Sequence, residues 1–370
     1  MKKKMVTIVC SMVFLAETFN VWAKPGNGLV PEPGTRVIKD QVGNTVVLPE
    51  KIHRVVIASV WPLASVYCLT LGSDTLVGLD PAIISAAENS MLIKIVPNIG
   101  SINSSFSKNG IMNAEELLKL KPDVVLYASA VREDYEIAKK AGVPAVGFSL
   151  SIKEYNAVET INSWVEQLGI VMGVDLSNSD YIRYGQRIEK LVADRVRNIP
   201  ENKKTGCMFI HLYDKNTFTV PGLKSWADYW ITASGGRNVA VSYTGNSKVN
   251  VEQIAAWNPD HIFIDNFNPL QPDDLYSNKA GNFNWKTVTA VSERNVMKVP
   301  LGMYRWYVTC SDSPIMLLWM AKQNQPEIFK DIDLNAEIKN FYQKFYHLKL
   351  TDKDIQAIYA PSSAAAGGIK

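Results

Sequence analysis

Asn113-Ala-Glu-Glu-Leu-Leu-Lys-Leu-Lys-Pro122-Asp123 runs into Val124-Val-Leu-Tyr127 and returns later as Asn250-Val-Glu-Gln-Ile-Ala-Ala-Trp-Asn-Pro259-Asp260, running into His261-Ile-Phe-Ile264. The Asn, the first Glu, the Pro and the Asp recur at one offset of 137 residues. Two copies so far apart point to two similar lobes, because a solenoid repeats at a much shorter period. Asn113 and Asn250 are good helix N-caps. Three positions on, Glu116 and Gln253 fit the partner place of a capping box. Leu117, Leu118 and Leu120, and in the second copy Ile254, Ala255 and Trp257, give a short apolar face. Pro122 and Pro259 push the residue before them out of the α region and stop the helix. Each copy therefore reads as helix, tight turn, buried strand. Glu115 and Glu252 are left over, with only the helix dipole to complement.

A length of 370 residues accommodates two domains, each with its own core. The composition is ordinary globular. Lys2, Lys3 and Lys4, the apolar run Met5 to Ala16 and Val21-Trp22-Ala23 read as a cleavable secretory signal. The apolar run is too short to span a bilayer, and Val9 before Cys10 is a poor lipoprotein signal. The chain has 39 basic and 36 acidic residues, and cleavage after Ala23 removes three Lys and one Glu. The near-neutral remainder gives no electrostatic case for nucleic acid or an anionic membrane. Cys68, Cys207 and Cys310 are scattered, and no disulfide framework is implied by them.

Along the chain, Thr35 to Leu48 alternates around Gly43-Asn44 as a hairpin. Strand patterns at 54–58, 76–79, 124–127 and 143–148 alternate with helical ones, including 151–173. This alternation predicts an α/β fold with parallel sheets covered by helices. Ser179 to Asn198 has helical spacing over some twenty residues, a stiff rod of ~30 Å. A second lobe restarts at Cys207 to Leu212 and closes with an amphipathic helical stretch over 327–359. The expected division is a signal peptide 1–23, an amino-terminal α/β lobe 24–175, a connecting helix 176–200, a carboxy-terminal α/β lobe 201–361 and a disordered tail 362–370.

Phosphate loops, nucleophile elbows, HExxH and calcium loops are missing from the sequence. The four histidines are dispersed, and His211 and His261 read as core residues of strands. A secreted two-lobed hydrolase or oxidoreductase is the competing class, but it lacks a nucleophile–base set or a ligand cluster.

The signal peptide, the two lobes, the stiff connector and the repeated Asn-x-Glu…Pro-Asp unit together resemble the periplasmic substrate-binding proteins of ABC importers for iron–siderophores, haem and cobalamin. The resemblance covers about residues 36–359 and includes Pro221-Gly-Leu-Lys-Ser-Trp226. The run from Leu317 through Phe341-Tyr-Gln-Lys-Phe-Tyr346 is similar to one branch of that family, which also contains molybdate and tungstate binders. The resemblance implies two Rossmann-like lobes around a ligand cleft, no enzymatic activity, a periplasmic monomer, and no covalently bound cofactor or resident metal. A metal chelate or oxyanion would be cargo, first of all a ferric siderophore or haem. It also implies that Glu115 and Glu252 dock onto arginines of an inner-membrane permease dimer that works with its ATPase. Four stretches would reach the cleft, and in them Trp61, Phe106, Tyr213, Trp226, Tyr304, Arg305 and Trp306 are the expected ligand contacts. Tyr304-Arg305-Trp306-Tyr307 carries most weight, since four bulky side chains in a row should not all point inward.

Overall fold

The computed structural model describes residues 32–367, and the expected signal peptide lies outside the described residues. The amino-terminal lobe is built on a four-stranded, all-parallel sheet in the order Leu76–Leu79, Val55–Ile57, Val124–Ala128, Ala145–Phe148. The hairpin Thr35–Lys39 with Thr45–Pro49 precedes it. The carboxy-terminal lobe repeats the plan with Gly236–Asn238, Thr205–Ile210, His261–Ile264 and Val296–Lys298, again all parallel. A three-stranded antiparallel sheet of Leu212–Asp214, Thr217–Pro221 and Asn246–Val249 flanks that lobe.

The repeated unit shows why its residues recur. Asn113 and Asn250 each accept the backbone N–H three residues on, at 3.0 Å. The reciprocal half of a capping box is absent: Asn113 N–H donates to Phe106 O, and Glu116 turns to Lys119. Asp123 and Asp260 do more than come after a proline. Asp123 accepts from the backbone N–H groups of His53 and Arg54, at the start of one central strand. Asp260 accepts from Gly206 N–H, at the start of the other. Each carboxylate thus satisfies strand-end donors that would otherwise be orphaned and ties the repeat to the middle of its sheet.

The lobes are joined by the helix Asp180–Val196, seventeen residues long, about 25 Å at 1.5 Å per residue. Ser179 caps it. Its buried face (Tyr181, Ile182, Gly185, Ile188, Val192) packs on helices Ala157–Met172 and Ser313–Asn324. Arg195 forks onto both carboxylate oxygens of Asp331 at 2.7 and 2.8 Å. One apolar core runs without a break from the first sheet (Val55, Phe148) through Trp164 and Ile188 to Phe209, Trp306 and Phe341. Hinge opening would break this continuous packing. Small-angle scattering of the protein with and without bound ligand is therefore expected to show little change in radius of gyration. A wide closure would contradict this.

Two expectations are corrected. Residues 151–156 are a turn, not helix, because Lys153, Glu154 and Tyr155 all take positive φ of 52 to 70°. The stretch 327–359 holds two helices, Leu334–Tyr346 and Asp352–Tyr359, broken where His347 enters the left-handed region. Within the expected tail, Ser363–Ala366 forms a 3₁₀ turn with Ala365 buried. Small residues let it pack close to Arg305, a contact that composition does not reveal.

Candidate functional site

Two cavities open at the carboxyl ends of the two parallel sheets, where the last strand residue hands over to a loop. The first, about 170 Å³, belongs to the amino-terminal lobe. Ser59 and Trp61 reach it from the first strand, Asp80 from the next, Val131 and Asp134 after the third, and Ser107 from the loop before the first repeat. Asp80 is buried and held by Ala82 N–H and by Ser107 Oγ at 2.6 Å. Burial, with the charge of Asp80 nearby, holds the Asp134 carboxyl above the usual range against a contact with Ser59.

The second cavity, about 400 Å³, is walled by Trp226, Phe267 and Tyr307, with Tyr155 arriving from the other lobe. His211 and the exposed Lys224 supply its polar lining. Tyr155 meets Trp226 edge-on at 6.3 Å, and Trp226 meets Tyr307 likewise. Three consecutive left-handed residues position Tyr155, the kind of backbone strain that concentrates at ligand sites. Trp61 and Trp226 each line one cavity, and each has a buried indole N–H without a hydrogen-bond partner among the described residues. Buried donors are nearly always satisfied, so each of these is an open place for an acceptor.

His211 is the first residue past its strand. Its Nδ1 lies 2.6 Å from Asp265 Oδ2, which fixes the ring and leaves Nε2 as its second hydrogen-bonding or ligating atom. Burial lowers the imidazole's pKa, but the Asp265 carboxylate more than reverses this, so His211 stays charged to higher pH than an ordinary histidine. Asp265 also accepts Phe267 N–H. Lys298 donates to the carbonyls of Asp265, Asn268 and Leu270 and so clamps the loop that carries Phe267. Burial brings that ammonium down to about 8.

A model of the periplasmic binding protein family matches residues 88–300, more than half of the chain. The chain belongs to this family. A periplasmic solute-binding protein from Veillonella parvula is 31% identical to this binding protein, with a TM-score of 0.79 and coverage of 88% of this chain and 97% of that one. The molybdate-binding protein MolA of Haemophilus influenzae is 23% identical over 348 residues, 89% of this chain and 93% of its own. Its molybdate-bound structure superposes with a TM-score of 0.73 at 20% identity, covering 85% and 99%. The Ni–His complex of Helicobacter pylori CeuE gives 0.69 at 23% identity, covering 88% and 99%. The identities of MolA and CeuE are low enough that their structures speak for the two-lobed fold alone. Among the described residues of this binding protein, no helix is long and apolar enough to cross a membrane, and no group of three or more His, Cys, Asp or Glu is placed to hold a metal.

Of the expected ligand contacts, Trp61 and Trp226 line the cavities. Phe106 does not: it is fully buried under Gly78 in the amino-terminal core, and its neighbour Ser107 reaches the cavity instead. Tyr213 packs on Phe218 in the flanking sheet, and its OH accepts Gly281 N–H. Tyr304, Arg305 and Trp306 are all buried, and the expectation that four bulky side chains in a row must leave one outside is overturned. The segment is a knot where both lobes and the tail surround it, so each side chain finds protein in its own direction. Trp306 Nε1 donates to Asp312. Arg305 donates to the Ala365 and Gly367 carbonyls. Tyr307, also largely buried, is the member that borders the cavity.

Sequence reading missed His211, Phe267, Tyr155, Asp80 and Asp134. The apolar pattern places His211 within a strand, but that strand ends one residue earlier. Searching the three positions after the last apolar residue of each strand would have found Asp80 and Phe267, but not His211, which is followed by the apolar Leu212. Tyr155 had no such signal. Glu115 and Glu252 are exposed and have no ion-pair partner among the described residues, whereas Glu116 is tied to Lys119.

Proposed function

We propose that this chain is the extracytoplasmic solute-binding component of an ABC importer, and that it carries an iron chelate, a ferric siderophore or haem, between its lobes. The observation that supports this reading most is the pair of cavities, one at the carboxyl end of each parallel sheet, each with a tryptophan whose indole N–H is unpartnered among the described residues. The larger cavity has aromatic walls with a histidine and a lysine, which suits an anionic ligand with an apolar body. The smaller presents two buried carboxylates, Asp80 and Asp134, which favour hydroxyl or amine donors and repel a bare dianion. A chelate can offer both faces; a four-oxygen oxyanion offers one. Glu115 and Glu252 are the proposed docking carboxylates toward the permease dimer, one per lobe.

The second reading is a molybdate or tungstate carrier, favoured by the match to MolA along most of both chains. Tryptophan fluorescence titrations with ferric catecholates, haem and molybdate separate the two, because Trp226 lies in the wall. Submicromolar binding of a chelate with no molybdate response is expected. Tight molybdate binding with no chelate response would overturn the first reading. Metal analysis of natively purified protein identifies the cargo directly.

A further inference from the structure

Arg305 is fully buried, and its guanidinium has no carboxylate partner among the described residues. Its donors go to neutral oxygens. Nε and Nη2 donate to Ala365 O at 3.2 and 3.0 Å, Nη2 also to Gly367 O at 2.7 Å, and Nη1 to Tyr304 OH at 3.3 Å. Its flat faces lie over Phe267 and Tyr304, at 4.9 and 5.6 Å from the ring centroids. A buried cation ordinarily carries an anionic partner, and a planar fork of five donors matches a carboxylate or oxyanion better than two peptide carbonyls. Arg305 lines neither cavity, but its neighbours set this unbalanced charge directly behind their walls. Phe267 is a wall of the larger cavity, and Tyr304 lies close enough to feel the charge of Asp80, which lines the smaller one.

What covers Arg305 is the carboxy-terminal segment. After the helix Asp352–Tyr359 the chain turns at the buried Pro361, seats Ala365, and brings Gly367 against Ser85 on the other lobe's helix Pro81–Glu88. Asp80 caps that same helix. Upstream, Leu301 N–H donates to Ile358 O, and Lys94 pairs with Asp354 at 2.5 Å. The helix anchor is therefore firm, with contacts in both lobes, and the last turn hangs from it by two carbonyls and one small buried methyl group.

We propose that residues 362–367 are a displaceable strap that stands in for the anionic group of the ligand at Arg305. A ligand bearing a carboxylate, catecholate or oxyanion competes with the Ala365 and Gly367 carbonyls, and the strap lifts when it binds. This rests on the cleft reading above and adds to it an anion-selective contact and a built-in competitor. The strap satisfies the guanidinium donors in the empty protein without balancing their charge, and displacing it costs the ligand part of its affinity, so weakly anionic solutes are excluded.

The test compares the full mature chain with one ending at Pro361, which keeps the helix and its anchors. Both are titrated with iron(III) tris-catecholate and with sodium molybdate. The shortened chain is expected to bind the anion it recognises at least five-fold more tightly, and Arg305→Gln in the shortened chain to erase that gain. Equal affinities with and without the strap would overturn the proposal. A ligand-free measurement stands beside it: amide hydrogen exchange at 362–367 is expected to quicken at least ten-fold in full-length Arg305→Gln, while the helix 352–359 is unchanged. Unaltered exchange would also overturn the strap. If neither anion binds either chain but exchange quickens, the strap stands as a structural element and its role as competitor, with the cargo reading, fails.

Discussion

Glu115→Ala combined with Glu252→Ala is expected to abolish uptake by cells while leaving the affinity of the purified protein for its ligand within about two-fold. The expectation begins with topology. A helix that leads into a parallel strand points its amino terminus to the carboxyl edge of the sheet, where the cavities open. Each repeat helix also comes directly after a cavity-lining segment: Gly110 and Met112 precede Asn113, and Gly245 and Asn246 precede Asn250. Glu115 and Glu252 thus stand on the rim of the site, one per lobe, in equivalent first turns. The neighbouring carboxylate in the first repeat is occupied, since Glu116 is held by Lys119 and Ser105. A charge-assisted carboxylate–guanidinium contact is worth about 1.5–3 kcal/mol, so losing two weakens docking by roughly two to four powers of ten. Each single variant is expected to lose part of this, and Glu116→Ala to retain uptake, since its charge already has a partner. Normal transport by the double variant would remove the docking role from both residues.

The fold was legible in the repeat because its signals are local. An asparagine cap, a short apolar face and a proline stop act within ten residues, and the strand after them is a run of large apolar groups. The site was legible only in part, because ligand contacts depend on what surrounds a loop. Trp61 and Trp226 come after structural punctuation, a strand end and a helix cap, and they reach the cavities. Arg305 stands out as a cation among aromatics, yet the tail that covers it lies sixty residues on and consists of serines, alanines and a glycine. His211 and Asp265 come from different strands, and only the register of His261–Ile264 against Thr205–Ile210 sets them side by side. Asp123 and Asp260 sit in plain view within the repeat, but their partners are backbone donors at the start of another strand, which spacing cannot show.

Gly302→Ala is expected to destabilise the protein by about 3 kcal/mol or more and to weaken ligand binding. A methyl group at Gly302 would be driven into Asp312 Oδ2, Trp306 Nε1 and Tyr342 OH, all fully buried. These atoms are already bonded to one another: Asp312 Oδ2 accepts from Met303 N–H at 2.6 Å, from Trp306 at 2.7 Å and from Tyr342 at 2.9 Å. Overpacking alone costs about 1–3 kcal/mol, and orphaning a buried carboxylate adds to it. The damage reaches the cleft because this one oxygen ties the start of the 303–307 knot, which ends at Tyr307, to two helices. It also reaches the lobe contact, where Gly302 O accepts Met91 N–H. A lower denaturant midpoint together with weaker ligand binding is expected, and an unchanged midpoint would sink the account. Asp312→Asn separates packing from charge. Burial pushes the Asp312 carboxyl up to about 6, despite four donors that favour its ionised form, Met303 N–H and the Trp306, Tyr342 and Tyr346 side chains. The folded value lies above the unfolded one of about 3.9. Its stabilising contribution is therefore complete below about pH 3.9 and lost as pH rises through 6, a cost of about 3 kcal/mol at neutral pH. Asn keeps an oxygen for the three donors on Oδ2 and puts an amide on the Oδ1 side, where Tyr346 OH, beside Ser311, can accept from it. Asp312→Asn is thus expected to raise the midpoint at pH 7 and to flatten its dependence between pH 4 and 6. A lowered midpoint at pH 7 would mean that the charge itself holds the knot.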